Sequence, residues 1–302
     1  MEQKRTAAGH LAALAAILVW GSTYISTKTL LKDFQPLEIL LFRFVIGYVT
    51  LFLMHPRAVK TKGWKEEMLF ALAGLCGVTL YFLLECVALT YTLASNVGVI
   101  VSMAPFFTAV LSHFLLKGER FRPQFFVGFL VALTGIFLIG YNGSEVLRLN
   151  PIGDVLALLA ALAFALYSVL MRKISRLGHH TISSTRRVFF YGLLFMAPPS
   201  LRMDFSPDFQ RLFIGGNLFH LLFLGLFASA LCFAAWNWAV GILGAVKTTV
   251  YIYVVPVVTI LAAALVLREQ ITPVALLGAF LALSGMFIAE RRPARQKVQE
   301  AG

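Results

Sequence analysis

"PFFTAVLSHFLLKGERFRP" spans Pro105–Pro123, and "PVVTILAAALVLREQITP" spans Pro256–Pro273. Each reads as proline, an apolar run, a glutamate beside an arginine, and a second proline four residues past the glutamate. The echo extends well beyond these stretches. At an offset of 151, Tyr81, Ala88, Ala94 and Pro105 align with Cys232, Ala239, Ala245 and Pro256. At 150, Glu119, Pro123, Gly128 and Gly135 align with Glu269, Pro273, Gly278 and Gly285. Nearer the N-terminus the offset is 144, which pairs Trp20 with Phe164, Lys28 with Arg172 and Arg43 with Arg187. The chain is one unit written twice, at 1–145 and 146–302.

Composition says where such a unit lives. The chain is 59% hydrophobic and 13% charged, against the roughly 25% charged residues of a soluble domain. That leaves too little polar surface to cover a globule. Ten stretches, at 10–31, 37–55, 67–89, 95–116, 123–141, 152–173, 184–200, 217–239, 245–267 and 272–290, are long and apolar enough to cross a bilayer. Lipid offers backbone groups no water, so each is expected to be a helix, and no alternating ten-residue strand pattern competes. Pro36, Pro123, Pro151 and Pro273 stand near helix starts, where the missing N–H is tolerated, and Asn142-Gly143 marks a loop. The seventh stretch is the weakest, following Arg186-Arg187 and ending at Pro198-Pro199.

Lys and Arg accumulate on the cytoplasmic side of a membrane. With the N-terminus inside, inward segments hold 19 of these residues and outward segments 6, with Arg43 inside a helix. Ten crossings with both ends cytoplasmic fit that bias, and basic loops facing anionic headgroups explain the net charge of +12 without nucleic acid. The start "MEQKR" leads into a run too long for a cleavable signal, which reads as a first transmembrane anchor. Cys76, Cys86 and Cys232 lie in helices without CxxC spacing and read as small packing residues.

Five spans per unit is an odd number, so the second unit enters the membrane from the opposite face. The expected fold is an all-α polytopic membrane protein with ten transmembrane helices arranged as two inverted five-helix repeats. Inverted halves can exchange conformations around a central site, which is how a transporter opens to each face in turn.

The motifs "LAAILVWGSTYISTK", "ECVALTYTLASNVGVIVSMAP" and "GERFRPQFFVGFLVALTGIFLIG" resemble the EamA repeat of the drug/metabolite transporter superfamily. "WNWAVGILGAVKTTVYIYVVPVV" and "LREQITPVALLGAFLALSGMFIAE" resemble its partner repeat. The chain most resembles bacterial amino-acid exporters of the YddG type. That resemblance implies export of aromatic and other neutral amino acids across a bacterial inner membrane. One departure is Phe164-Ala165, where the first repeat has Trp20-Gly21.

Residues able to bind a solute gather in particular helices. Trp20, Tyr24, Tyr81, Glu85, Asn96, Ser102, Tyr167, Trp236, Asn237, Thr248 and Tyr251 are the candidate substrate-binding residues. Trp20 and Tyr24 share a face, as do Tyr81 and Glu85, each pair being four apart. Rings for stacking beside groups for hydrogen bonding are the mixture of a small-molecule pocket, although aromatic residues also anchor helices at the membrane interface. Arg43 and Glu85 are charges within the membrane, where each costs about 2.5–3.5 kcal/mol unless paired or hydrated. They form a structural ion pair, or Glu85 faces the cavity and receives a substrate ammonium or a coupling proton. Pro105 and Pro256 each remove a helical hydrogen bond, making pivots for alternating access or static kinks.

Gly128, Gly135, Gly278 and Gly285 give the fifth and tenth helices a small-residue face, for packing or for a homodimer. No metal site and no cofactor are expected, because the histidines are isolated or in a loop pair. HExxH, phosphate-loop and nucleophile-elbow motifs are absent from the sequence. The expected partners are a small-molecule substrate and the lipid bilayer. Only Arg43, Arg187 and Lys247 could face a phosphate-bearing solute, so neutral or zwitterionic solutes suit the lining better.

Overall fold

The computed structural model describes residues 2–91, 94–116, 123–141, 150–202, 209–267 and 271–290. The two glutamate–arginine pairs of the opening motif fall outside them, as does the boundary between the repeats.

Helices account for nearly all of the described chain. Helix α1 is Glu2–Leu30, and α2 is Pro36–Met54. Helix α3 covers 64–91, with a π-wound stretch at Leu75–Leu80. Helix α4 comprises Ala94–Val101 and Ala104–Leu115, and α5 is Pro123–Tyr141. In the second half, α6 is Pro151–Ser175 and α7 is Thr181–Arg202. Helix α8 covers 217–243 with a π-wound stretch at Phe223–Leu231. Helix α9 comprises Ala245–Thr249, a 3₁₀ stretch Val250–Val254 and Val255–Leu267, and α10 is Pro273–Glu290. Seven of these are long and apolar enough to cross a membrane, α5 and α10 are shorter apolar helices, and α7 does not qualify by composition. Its first two turns carry Ser183, Ser184, Arg186 and Arg187.

Local chemistry sets the ends. Pro36 opens α2, where the Gln35 N–H donates to Glu38 Oε2 at 2.8 Å. Asn150 caps α6 by accepting from the N–H groups of Ile152 and Gly153 at 3.1 and 3.2 Å, with Pro151 at the first helical position. The irregularities recur at matched places. Both π-wound stretches lie in the third helix of their repeat, and both helical breaks immediately precede the matched prolines Pro105 and Pro256. Each proline thus starts a new helical segment, where its missing N–H costs least.

Helix α1 lies on α8 and α9, and α6 on α3 and α4. Helix α2 lies on α7 and α8, α7 on α2 and α3, and α5 on α10. Exchanging the halves maps this set of neighbours onto itself, as two-fold related repeats require. The repeats interleave, and every one of these pairs joins a first-half helix to a second-half helix. Glycines seal the α5–α10 pair: a Cβ on Gly278 would lie 2.6 Å from Gly135 O, and one on Gly128 2.6 Å from Gly285 O. The small-residue face is therefore used within one chain. Outward faces of α5 and α10 carry Leu130, Leu276 and Phe280, all more than half exposed and suited to acyl chains.

Candidate functional site: an aromatic centre on the repeat axis

Residues near a two-fold axis meet their own repeat mates, so ring contacts between mates locate the axis. Trp20 and Phe164 are mates at offset 144, and their ring centroids lie 6.4 Å apart. Phe82 and Phe233 are mates at offset 151, with centroids 6.5 Å apart. The axis passes through this aromatic cluster. Trp20 also meets Phe233 at 5.3 Å and Trp236 at 5.1 Å, while Tyr81 meets Phe164 at 5.2 Å. Trp20 is fixed by its indole N–H, which donates to Ala228 O at 2.9 Å in the π-wound stretch of α8.

Trp20, Tyr81 and Glu85 are partly exposed and stand at this centre. The Tyr81 hydroxyl donates to Glu85 Oε1 at 3.2 Å. Arg43, 6% exposed, approaches from α2: its Nε donates to Ser229 Oγ at 3.0 Å and its Cζ lies 4.8 Å above the Phe82 ring. Tyr81 and Phe82 rings are 4.8 Å apart, so the guanidinium and the Tyr81–Glu85 pair flank one another across aromatic rings. No Arg43–Glu85 ion-pair contact within 4.0 Å occurs among the described residues. A hydroxyl is the hydrogen-bond partner of each charge.

Other expected site residues lie elsewhere in this conformation. Tyr167, 0% exposed, donates its hydroxyl to Asn237 Oδ1 at 2.7 Å, and Asn237 Nδ2 donates to Thr185 Oγ1 at 3.0 Å. That buried chain joins α6, α8 and α7, and it leaves neither Tyr167 nor Asn237 facing open space. Ser102 and Thr248 are buried and donate to their own helices, at Gly98 O and Gly244 O. Trp236 is fully buried behind Trp20, and its N–H has no partner among the described residues. Tyr251 lies at one end of the bundle, its hydroxyl 2.8 Å from His10 Nδ1. The side chains of Tyr24 and Asn96 lie outside the description.

The two ends of the bundle differ. At the end carrying the N-terminus, Gly9 sits against Ile242 and Leu243, His10 meets Tyr251, and Arg172 Nη1 donates to the carbonyls of Val240 and Gly241. Thr248–Val254 of α9 is buried throughout. The matched stretch of α4, 97–103, is looser: Gly98 is exposed with no atom within 4 Å of an added Cβ, and Val99, Ile100 and Val101 are partly exposed. Ala245–Thr249 contacts Ala104–Leu115, whereas the matched approach of Ala94–Val101 to Val255–Leu267 has no counterpart of similar extent among the described residues. Among the described residues, one end is sealed and the other is parted. His10, Phe233 and Ser229 were not singled out by the sequence pattern, since a single polar residue or phenylalanine in an apolar run carries no positional signal.

A family model described as "EamA-like transporter family" matches residues 7–141 and 151–290. An uncharacterized transporter of Archaeoglobus fulgidus is 26% identical, covering 92% of this chain and 96% of its own. Transporter YoaV of Bacillus subtilis is 26% identical over 95% of this chain and 98% of its own. A relative from Streptantibioticus cattleyicolor named "Probable terminal-alkyne amino-acid exporter" is 25% identical, covering 93% of each chain. A crystal structure 19% identical in sequence superposes with a TM-score of 0.77 over 98% of this chain and 99% of its own, a likeness of fold.

Proposed function

Because this chain belongs to the EamA-like transporter family, we propose that it exports small amphipathic metabolites, specifically aromatic and other neutral amino acids, by alternating access. The observation that carries this reading is the bundle sealed at one end and parted at the other, about an aromatic centre on the repeat axis. Lys and Arg accumulate on the cytoplasmic side, which makes the sealed end, with the chain's N-terminus, cytoplasmic and the parted end external. In this reading the protein sits in a bacterial inner membrane with both termini inside.

Partly exposed Trp20 and Tyr81 supply ring faces for an apolar side chain, and Glu85 supplies a charge for an ammonium. The amino-acid name carried by one relative supports the same class of cargo. A channel-like facilitator would need a continuous path, which the sealed end opposes. A homodimer through α5 and α10 would use their outward apolar faces, since the glycines already face each other.

The test is counterflow in proteoliposomes with a panel of labelled neutral amino acids, with and without a pH gradient. Saturable exchange with mutual competition among aromatic amino acids is expected. Linear, non-competing flux would favour a channel, and no exchange of any amino acid would overturn the substrate class.

A further inference from the structure

We infer that Arg43 receives the substrate carboxylate, so that the site holds a zwitterion between Arg43 and Glu85. This rests on the amino-acid reading above and deepens it. Arg187 of α7 shows how this fold answers a helix arginine with a carboxylate: Nε donates to Glu67 Oε1 at 2.8 Å, Nη2 lies 2.6 Å from the same oxygen, and the Tyr191 hydroxyl also donates there.

Arg43 has instead the Ser229 hydroxyl at 3.0 Å and the faces of Phe82 and Phe44 at 4.8 and 5.2 Å. None of these is an anion. A buried cation in the membrane calls for a counter-charge, and a guanidinium fits a carboxylate in a planar, two-bonded geometry. Glu85 shows the complementary lack, with the neutral Tyr81 hydroxyl as its hydrogen-bond partner. The two charges flank one another across Phe82 and Tyr81, and both lie in the half of the bundle leading to the parted end. An α-amino acid offers carboxylate and ammonium on one carbon and satisfies both together. Its side chain then faces Trp20, Tyr81 and Phe164. An amine or a carboxylic acid alone leaves one buried charge of the site unanswered.

The experiment is calorimetric binding to the purified full chain with three probes: L-phenylalanine, phenethylamine, which lacks the carboxylate, and 3-phenylpropionate, which lacks the ammonium. The wild type is expected to bind L-phenylalanine at least ~10-fold more tightly than either analogue, the range of one charge-assisted contact. Arg43→Gln is expected to abolish the preference over phenethylamine while leaving phenethylamine binding unchanged. Glu85→Gln is expected to abolish the preference over 3-phenylpropionate. Equal wild-type affinity for L-phenylalanine and phenethylamine overturns the inference, and so does a folded Arg43→Gln that keeps the full preference. If that variant does not assemble, the wild-type comparison alone decides. Binding is read apart from transport: zwitterion-selective binding without counterflow would sink the exporter reading and leave this one standing.

Discussion

Arg172 fastens the sealed end. Its Nη1 donates to Val240 O at 3.3 Å and more closely to Gly241 O, the last carbonyls of α8, where no further helical N–H is available. A cation there also meets the negative end of the helix dipole. Hydrogen bonds to charged groups contribute about 1.5–3 kcal/mol, and the second contact is long, so about 2 kcal/mol in total is a fair figure for Arg172. The bonds exist only while α6 and α8 meet at this end. Arg172→Ala should therefore destabilise the sealed state against the opposite one by that amount, roughly a 30-fold shift in their ratio at about 1.4 kcal/mol per tenfold.

Two reporter cysteines read the shift, in a chain whose native cysteines are replaced. Thr249→Cys lies in the buried start of α9, while Gly98→Cys occupies its exposed counterpart in α4. In the parent, a membrane-impermeant maleimide should label Gly98→Cys readily and Thr249→Cys very slowly, even in inverted vesicles. Adding Arg172→Ala should raise the Thr249→Cys rate in inverted vesicles by about the population shift while slowing Gly98→Cys from outside. An Arg172→Ala protein that folds and labels at both positions as the parent does would refute the latch. Faster labelling at both positions together would mean general loosening and would refute it equally.

Three further outcomes follow from packing and charge. Gly278→Ala places a methyl 2.6 Å from Gly135 O, roughly 0.7–1.0 Å inside an ordinary C–H···O approach, so α5 and α10 must part. A loss of about 1–3 kcal/mol, read as a lowered Tm in detergent, is expected. Asn237→Leu removes the acceptor of the Tyr167 hydroxyl and a donor to Thr185 in a buried network, at a cost of about 1–3 kcal/mol; thermal unfolding should show it, while counterflow per folded molecule changes little. His180, outside the membrane spans, is held below the usual histidine range by partial burial and then by the stacked His55 ring, whose centroid is 4.1 Å away. Its folded state thus binds fewer protons than the unfolded chain, so this contribution to stability is present above about pH 6.5 and declines as pH falls through that value. Tm measured from pH 8 to pH 5 should drop less in His180→Gln than in the parent.

Spans and duplication were legible because both are written in single residues: hydrophobicity decides a crossing, and a fixed offset exposes a repeat. Helix ends were less so. Helix α1 begins at Glu2, well before the apolar run at 10, because a helix already nucleated extends into water at one hydrogen bond per added residue. The π-wound stretches of α3 and α8 have no compositional mark, and they emerge only as paired features of the folded repeats. Arg43, Glu85, Trp20 and Tyr81 were conspicuous as charges and rings inside apolar spans, and the fold brings them together. Tyr167, Asn237 and Thr248 were conspicuous for the same reason, and the fold uses them inside the protein. Whether a polar group faces a cavity or another polar group depends on helices as far apart in sequence as Thr185 and Asn237. That information resides in packing.

The repeat relation also states what the opposite conformation must contain. The mate of Arg172 is Lys28, and the mates of Val240 and Gly241 at offset 151 are Leu89 and Thr90. If the opposite conformation repeats this fastening when the parted end closes, the repeat relation assigns to Lys28 those carbonyls near the end of α3, as Arg172 reaches their counterparts on α8. An ammonium is a strongly hydrated point charge, whereas a guanidinium presents a rigid fork, so the lysine fastening is the weaker one. That inequality agrees with a resting bundle sealed at the arginine end. Lys28→Arg should narrow it, slowing the labelling of Gly98→Cys from outside and raising that of Thr249→Cys from inside, the same direction as Arg172→Ala but without loss of a bond. Should Lys28→Arg move the two reporters the other way, or neither, the matched latches are not the elements that set the balance, and the parted end must be held open by the loosely packed first segment of α4 alone.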